Sequence, residues 1–555
     1  MAWGIDQIVQ SVTERELPRA VSEMNLAEVN FWLLEHDREL SHLEEETDRH
    51  DLMGLGARKE PEREEKYKRA TELKERINAT GGVYDQLIGR FETLATTEVE
   101  RRAVKVRRDR KLYDGVHGSQ AFNSEHEKAA AAYKQPLIVP DVGSLTMSDF
   151  RREMKGNPDG ETRRRIFVAS TQLDGLESAF ADERAAHNRQ VIAFAGGRVA
   201  NIFDVQAEWY EAPKAHEIGA VLLRFVEGTK DIYDALMREL LGEGPLEPWD
   251  VQFLLATKDP FAGLDVPQNP VVLLRNSIDL FVRMGYDRKT LERLYDPRNP
   301  NVLLDIEERQ GKRPQAVSLS LGAFSDGKNG LFFDPVSYST DSRKRAGIFP
   351  HEMGHFMDFE ACRRAAQEDP SFFFQPVNGS ESFSMTHDLA PFDPVHLREH
   401  YGVSDTRLIE KWTLLQHLFE LYSTVEITLM DVALSTCGRS ELRTAAREAR
   451  ELVRPANVRR HDPGTWYTTV AHLWNQPGYY QAYFWGRSNG LAIAATIIDQ
   501  SGTLLTPNTE RFLRERVMTG NRIPIQQRVA AATGIQDPVQ GTINYIRKEY
   551  RRLAA

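Results

Sequence analysis

The chain has 555 residues, 41 % of them hydrophobic and 28 % charged, with a formal net charge of −11. That apolar content supports a large core and excludes a mainly disordered chain, and the acidic balance argues against a nucleic-acid binder, whose surface carries a basic excess. Two cysteines, Cys362 and Cys437, are too few for a disulfide framework and suit a reducing compartment.

The opening MAWGIDQIVQ lacks a basic segment followed by a long apolar run, so no signal peptide is expected. The longest apolar stretch, Gly490 to Ile498, is too short to span a bilayer. The expectation is a cytoplasmic protein with neither a membrane nor a nucleic acid as partner.

The first 135 residues read as helix. Residues 25–49 and 62–113 carry apolar side chains at three- and four-residue spacing, as in the stripe Leu26, Val29, Trp32 and Leu33. Both charge signs are interspersed, which describes solvated faces of packed helices better than a coiled coil. Pro136 and Pro140 bracket the extended segment PLIVPD, which is taken as the boundary between an N-terminal helical region, 1–145, and a catalytic domain, 146–555. Helical patterning resumes at Ser148, runs to about Ile192 and breaks at the Ala-Gly-Gly of 195–197. A further helix fits 213–241, and LEPWDVQFLL then leads into a loop-rich stretch. Ala316 to Leu321 alternates apolar residues with Ser, Gly330 to Phe333 is a short apolar run, and Gly327 and Asn329 lie between, so a β-hairpin or ribbon is expected there. Helices return from Arg345 to near the C-terminus. The fold class is mainly α with a small β-ribbon, and no fixed-period repeat is present.

The chemical centre is His351-Glu352-Met353-Gly354-His355, within IFPHEMGHFMDFE. On an α-helix, positions i and i+4 share a face, so two neutral imidazoles grip one zinc ion while the adjacent Glu352 reaches a water activated there. The competing reading is a chance match on an ordinary helix. The apolar flanks Ile348, Phe349, Phe356 and Phe359 suit a helix buried in an enzyme core, and Gly354 permits close approach of a neighbour. An intact Glu352 also argues against a purely structural or vestigial site, which has no use for a general base. The same donors accept cobalt or manganese as well as zinc.

A catalytic zinc site takes three protein ligands and keeps one open position. The position ten residues after His351 is Ala361, and the position twenty after His355 is Gln375, so neither supplies a third ligand. Glu381, in GSESFSM on a following helix, is favoured on spacing, with Glu360, Glu368 and Glu420 as alternatives. Glu360 points away from the metal face, Glu368 precedes a helix-ending Asp369-Pro370, and Glu420 lies on a later helix with an apolar stripe. A third feature is HLWNQPGYYQAYFWGRSN, residues 472–489, which gathers His472, Tyr479, Tyr480 and Tyr483. Imidazole and phenol groups donate to an oxyanion forming on a scissile carbonyl. The bland alternative is an aromatic core helix.

Together these residues resemble the thimet oligopeptidase and oligoendopeptidase F family of zinc peptidases. Besides the HExxH motif, Gly311-Lys312-Arg313-Pro314 and the hairpin resemble the segment leading to an edge strand beside the active-site helix. Ser380-Glu381-Ser382-Phe383-Ser384 sits where the family has its glutamate ligand, LFELYSTVEITLMDVALS resembles the next long helix, and Pro477 to Tyr483 resembles the tyrosine-rich loop. The tail RFLRERVMTGNRIPIQQRVAAATGIQD looks like the closing helix, turn and helix. The likeness is clear over roughly 300–540, weaker over 145–300, where PWDVQF is the best landmark, and only helical character before that. It implies a two-lobed helical zincin-like fold, one zinc ion per chain held by His351, His355 and Glu381, and Glu352 as general base and acid. It implies substrate contact by His472, Tyr480 and Tyr483, with Tyr479 less favoured, and short peptides as substrates in a groove between lobes. Two departures concern substrate preference. Asp358 stands where members often carry a further His, and the surroundings of Glu381 are Ser-rich. Angiotensin-converting and carboxypeptidase Taq types share the helical fold, so a metallocarboxypeptidase is the nearest alternative, and a non-catalytic helical zinc-binding protein the next.

Overall fold

The computed structural model describes residues 20–37, 61, 65, 81–117, 128–129, 131–133, 135–170, 174–195, 197–296, 298–299, 302–307, 316–320, 329–333, 335, 341–461 and 464–555. The expected helix over 38–49, most of 62–80, the Gly311 to Pro314 segment and the turn at Gly327 lie outside them. Within them the chain is mainly α, as expected. No helix among the described residues is long and apolar enough to cross a membrane.

The N-terminal helices, residues 26–37, Gly81–Leu94 and Glu98–His117, bury Val29, Leu33, Leu87, Phe91 and Val104 in a small core that also takes in Phe372. They are tied to the rest of the molecule by the buried Arg107 guanidinium, 2.7 Å from Asp37 and 2.9 Å from Asp369. The PLIVPD segment closes into a hairpin, which the sequence reading did not anticipate. Strand β1 (Leu137–Val139) pairs antiparallel with β2 (Gly143–Leu145), with positive φ at Asp141 in the connection and at Gly143, the first residue of β2.

The helical stretch expected over 148–192 is three helices. Thr146 and Asp149 form a reciprocal capping box that starts α1 (Met147–Gly156). The Asn157-Pro158-Asp159 sequence ends it, because the residue before a proline is biased away from the helical region. Gly160–Ser170 and α2 (Asp174–Ala195) follow. The long α3 (Ala215–Leu241) agrees closely with the expected helix.

The ribbon has three strands. β4 (Ala316–Ser320) pairs antiparallel with β5 (Asn329–Phe333), as the alternation implies. β3 (Val302–Asp305) lies parallel to β5 on its other side, in a stretch read as loop. Four residues between polar neighbours are too few for a pattern to stand out.

Beside this ribbon runs α4 (Ser342–Ala366), capped by Asp341 and continuous through Pro350. Phe349, Met353 and Phe356 are buried on its core face, where Phe349 meets Phe333 of β5 and Phe356 stacks on Tyr295. Burial of each such side chain contributes about 1.5–3 kcal/mol. The chain then turns through Pro370–Phe373 into α5 (Val377–His387). Next come α6 (Arg407–Thr436), α7 (Gln481–Ser501) and the closing α8 (Pro538–Ala554). Helix α5 is held between α4 and α7, and glycines set both crossings. A Cβ on Gly354 of α4 would stand 2.7 Å from Ser384 Cα, and one on Gly486 of α7 would stand 2.6 Å from Glu381 Cβ.

Candidate metal centre

One turn of α4 presents His351 and His355 together, with their rings 4.9 Å apart and nearly perpendicular. From the opposing α5, Glu381 places Oε2 3.6 Å from His351 Nε2 and Oε1 4.0 Å from His355 Nε2. One donor atom from each of the three residues lies within 4.8 Å of the others. A tetrahedral zinc with bonds of about 2.0–2.1 Å separates its ligands by roughly 3.4 Å, so the donor set fits the ion with little movement.

The far nitrogens of both imidazoles are already engaged. His355 Nδ1 is 2.8 Å from Ser380 Oγ, and His351 Nδ1 is 3.5 Å from Asp388 Oδ2. Such partners set the tautomer and leave Nε2 free for a metal. Asp388 is itself held by Arg487, whose guanidinium donates to both its oxygens at 2.8 and 3.1 Å and to Glu420 at 2.8 Å. Burial alone would raise the Asp388 pKa, but Arg487 and His351 outweigh it and lower it to about 2. Burial likewise opposes charge on His351, yet Asp388, Glu381 and Glu352 raise its pKa to about 9. Burial pushes Glu381 up to about 7 and depresses His355. A carboxylate and imidazoles so crowded and desolvated gain most from a cation placed among them.

Glu352 follows His351 on the same turn and is 5 % exposed. Its Oε2 is buried with no hydrogen-bond partner among the described residues. Burial raises its pKa, while His351 pulls it down. Ser318 of β4 donates to the Glu352 carbonyl at 3.0 Å, which locks the ribbon to the helix at this residue.

The alternative carboxylates are used elsewhere. Glu360 pairs with Arg363 at 2.5 Å and Glu368 with Arg522 at 3.2 Å. Glu420 pairs with Arg487 at 2.8 Å. Gln375 bridges Asp358 and Arg528, with 2.6 and 2.8 Å hydrogen bonds.

The aromatic segment lies near the centre. His472, Tyr479, Tyr480 and Tyr483 pack as one group, with ring centroids 5.3–6.0 Å apart. Burial raises the Tyr483 pKa and the charges of Glu381 and Glu352 add to it; Tyr479 responds to burial, Tyr483 and Glu381. Tyr480, raised by burial to about 12, has Arg151, Glu420 and Glu426 as its charged neighbours instead. Burial holds His472 down to about 4. The bend is anchored: Gly478 N donates to Asp431 at 2.8 Å, and Asp431 is paired with the buried Arg184 of α2. Gly478 has φ +79°, and a Cβ there would stand 2.6 Å from Gln206 Cγ.

Three residues of the centre were missed in the sequence. Asp388 lies seven positions after Glu381 and so falls on the same helical face, a signal that was present. Ser380 and Arg487 carried no local signal, because their roles depend on which helix lies opposite.

The fold and site define a mainly α architecture with a His-His-Glu donor cluster. No protein-family model matches the sequence, and no curated protein is significantly similar to it. Among solved structures the chain is similar to PZ peptidase A, determined with an inhibitor, with a TM-score of 0.68 and 13 % identity over 99 % of this chain and 96 % of that one. It is also similar to a protein assigned as oligoendopeptidase F, with a TM-score of 0.65 and 13 % identity over 93 % of this chain and 97 % of that one. The fold is therefore shared with these two structures over nearly the whole chain.

Proposed function

We propose that this chain is a zinc-dependent peptidase that hydrolyses short peptides, with residues 146–555 as its catalytic domain. The observation that carries this reading is the donor cluster of His351, His355 and Glu381 with the buried carboxylate of Glu352 beside it, whose Oε2 has no hydrogen-bond partner among the described residues. The likeness to two peptidase structures supports it.

His351, His355 and Glu381 would hold the ion, which when bound supplies Lewis-acid activation of water and of the scissile carbonyl. Glu352 accepts the proton of the attacking water and delivers it to the leaving amine. Its desolvated carboxylate, with a raised pKa, is suited to both steps near neutral pH. Tyr483 and its neighbours Tyr480 and His472 supply donors to the carbonyl oxygen as charge develops on it. Asp388 and Ser380 orient the imidazoles. The free thiols Cys362 and Cys437 agree with a cytoplasmic setting.

The test is Glu352→Gln on zinc-loaded protein with a quenched fluorescent peptide. The variant keeps its zinc and loses activity by at least about 10²–10⁴-fold, the usual contribution of a general acid–base. Normal turnover would refute the assignment. His351→Ala loses the ion itself, read by metal analysis.

A further inference from the structure

A cavity of about 420 Å³ lies against His351 and Asp388 and extends to Lys155 of α1 and Lys344 of α4. Its size falls within the roughly 300–1,000 Å³ of small-ligand pockets. Most of its charges are spent. Arg343 is paired with Asp259, and Arg487 with Asp388 and Glu420. Asp341 caps α4 by accepting from Lys344 N at 3.0 Å. Among the described residues, neither the Lys155 nor the Lys344 ammonium forms an ion pair. Both line this cavity, Lys155 partly buried and Lys344 exposed, and Lys344, then burial, lowers the Lys155 pKa to about 8, with Arg151 adding to the effect and Asp341 opposing it. Lys155 also suits the C-terminal end of α1, but that role needs no second ammonium beside it. Like charges lining one cavity are unfavourable until an anion joins them.

The geometry points to a carboxylate site. We infer that Lys155 and Lys344 together grip a carboxylate of the bound peptide, favouring substrates with a free C-terminus a short way from the cleaved bond. This rests on the peptidase reading, because the cavity shares His351 with the proposed metal centre. A terminal carboxylate and an Asp or Glu side chain offer the same chemistry, and the test separates them.

Matched quenched peptides are compared on the zinc-loaded protein: one with a free C-terminus, one amidated, and one amidated with Glu next to the end. The free acid is preferred over the plain amide by about 10- to 100-fold in kcat/KM, the size of one or two charge-assisted hydrogen bonds, and the difference lies in KM. In the Lys155→Gln/Lys344→Gln protein this ratio falls to about one, and in the Lys155→Arg/Lys344→Arg protein it persists. If the Glu-bearing amide is preferred instead, and that preference is lost in the Gln variant, the site holds a side-chain carboxylate. Equal cleavage of all three peptides by the wild type, or a ratio unmoved by the Gln substitutions, overturns the site and leaves the peptidase reading intact. If no peptide is cleaved, the peptidase reading fails, and calorimetry of the same peptides on the Glu352→Gln protein decides the carboxylate site by itself: binding that depends on both lysines supports it, and equal binding of acid and amide overturns it.

Discussion

At the scale of single residues, the candidate centre is held by groups outside its donor set. His351 is oriented by Asp388, which is fixed by Arg487, which is fixed in turn by Glu420. Removing charge from the middle of that series leaves every ligand in place but frees the His351 ring. Asp388→Asn is therefore expected to weaken zinc binding by about 10–100-fold, measured by competition with a chelator. Unchanged affinity would show that α4 alone positions His351. Tyr483 carries a different expectation, since its proposed role is to act on the substrate. Tyr483→Phe should lower kcat by about 10²–10³-fold, the usual loss of one oxyanion donor, with zinc content unaltered. A loss confined to KM would instead assign it to ground-state binding.

At the scale of elements, the third candidate ligand is placed by packing. Glu381 rides on α5, and α5 can lie between α4 and α7 only because Gly354 and Gly486 present no side chain at the crossings. Helix α7 is in turn held by α8, where Thr542 donates to the Ser488 carbonyl at 3.0 Å. Gly486→Ala would put a methyl group against the Glu381 stem, so α5 must shift or α7 must tilt. The expected cost is about 1–3 kcal/mol, typical of overpacking, read by denaturant unfolding, together with weaker zinc binding. Full retention of both would mean that α5 has slack at this point. The His pair was legible in the sequence because one helix carries both residues at i and i+4. The three-stranded ribbon was only partly legible, since β3 is too short to impose a pattern and is a strand only because β5 lies beside it.

At the scale of the whole molecule, a set of histidines is buried uncharged. His387 lies on α5, stacked on Phe281, with Nδ1 donating to the Phe383 carbonyl at 2.6 Å and Nε2 2.7 Å from the Tyr286 hydroxyl. Burial lowers its pKa from 6.5 to about 4, and burial lowers His417 to about 3. A depressed histidine contributes stability that is complete above its unfolded pKa, near 6.5, and is lost as pH falls through that range towards the folded value. The loss from His387 is roughly 2 kcal/mol at pH 5. Asp358, raised by burial to about 7, works in the opposite direction, so total stability does not isolate one group. The difference between wild type and His387→Gln does. It should be largest at pH 7 and shrink as the pH falls to 5, in denaturant unfolding. A difference independent of pH would mean that His387 is not held neutral.

The sequence by itself determined the mainly helical class, the HExxH pair and its Glu352, and the antiparallel pairing of β4 with β5. All of these are local: helical periodicity brings His351 and His355 together whatever surrounds them, and alternation over a few residues specifies a hairpin. Tertiary structure alone decided what lies across from them. Of the four candidate carboxylates it grouped Glu381 with the His pair and gave Glu360, Glu368 and Glu420 arginine partners of their own. It divided the expected 148–192 helix at Asn157 to Asp159, set Tyr483 rather than Tyr480 in the field of Glu381, and brought Lys155 of α1 beside Lys344 of α4. Each of these is a contact between segments far apart in the chain, and such contacts depend on which faces pack, which no spacing along a single segment records.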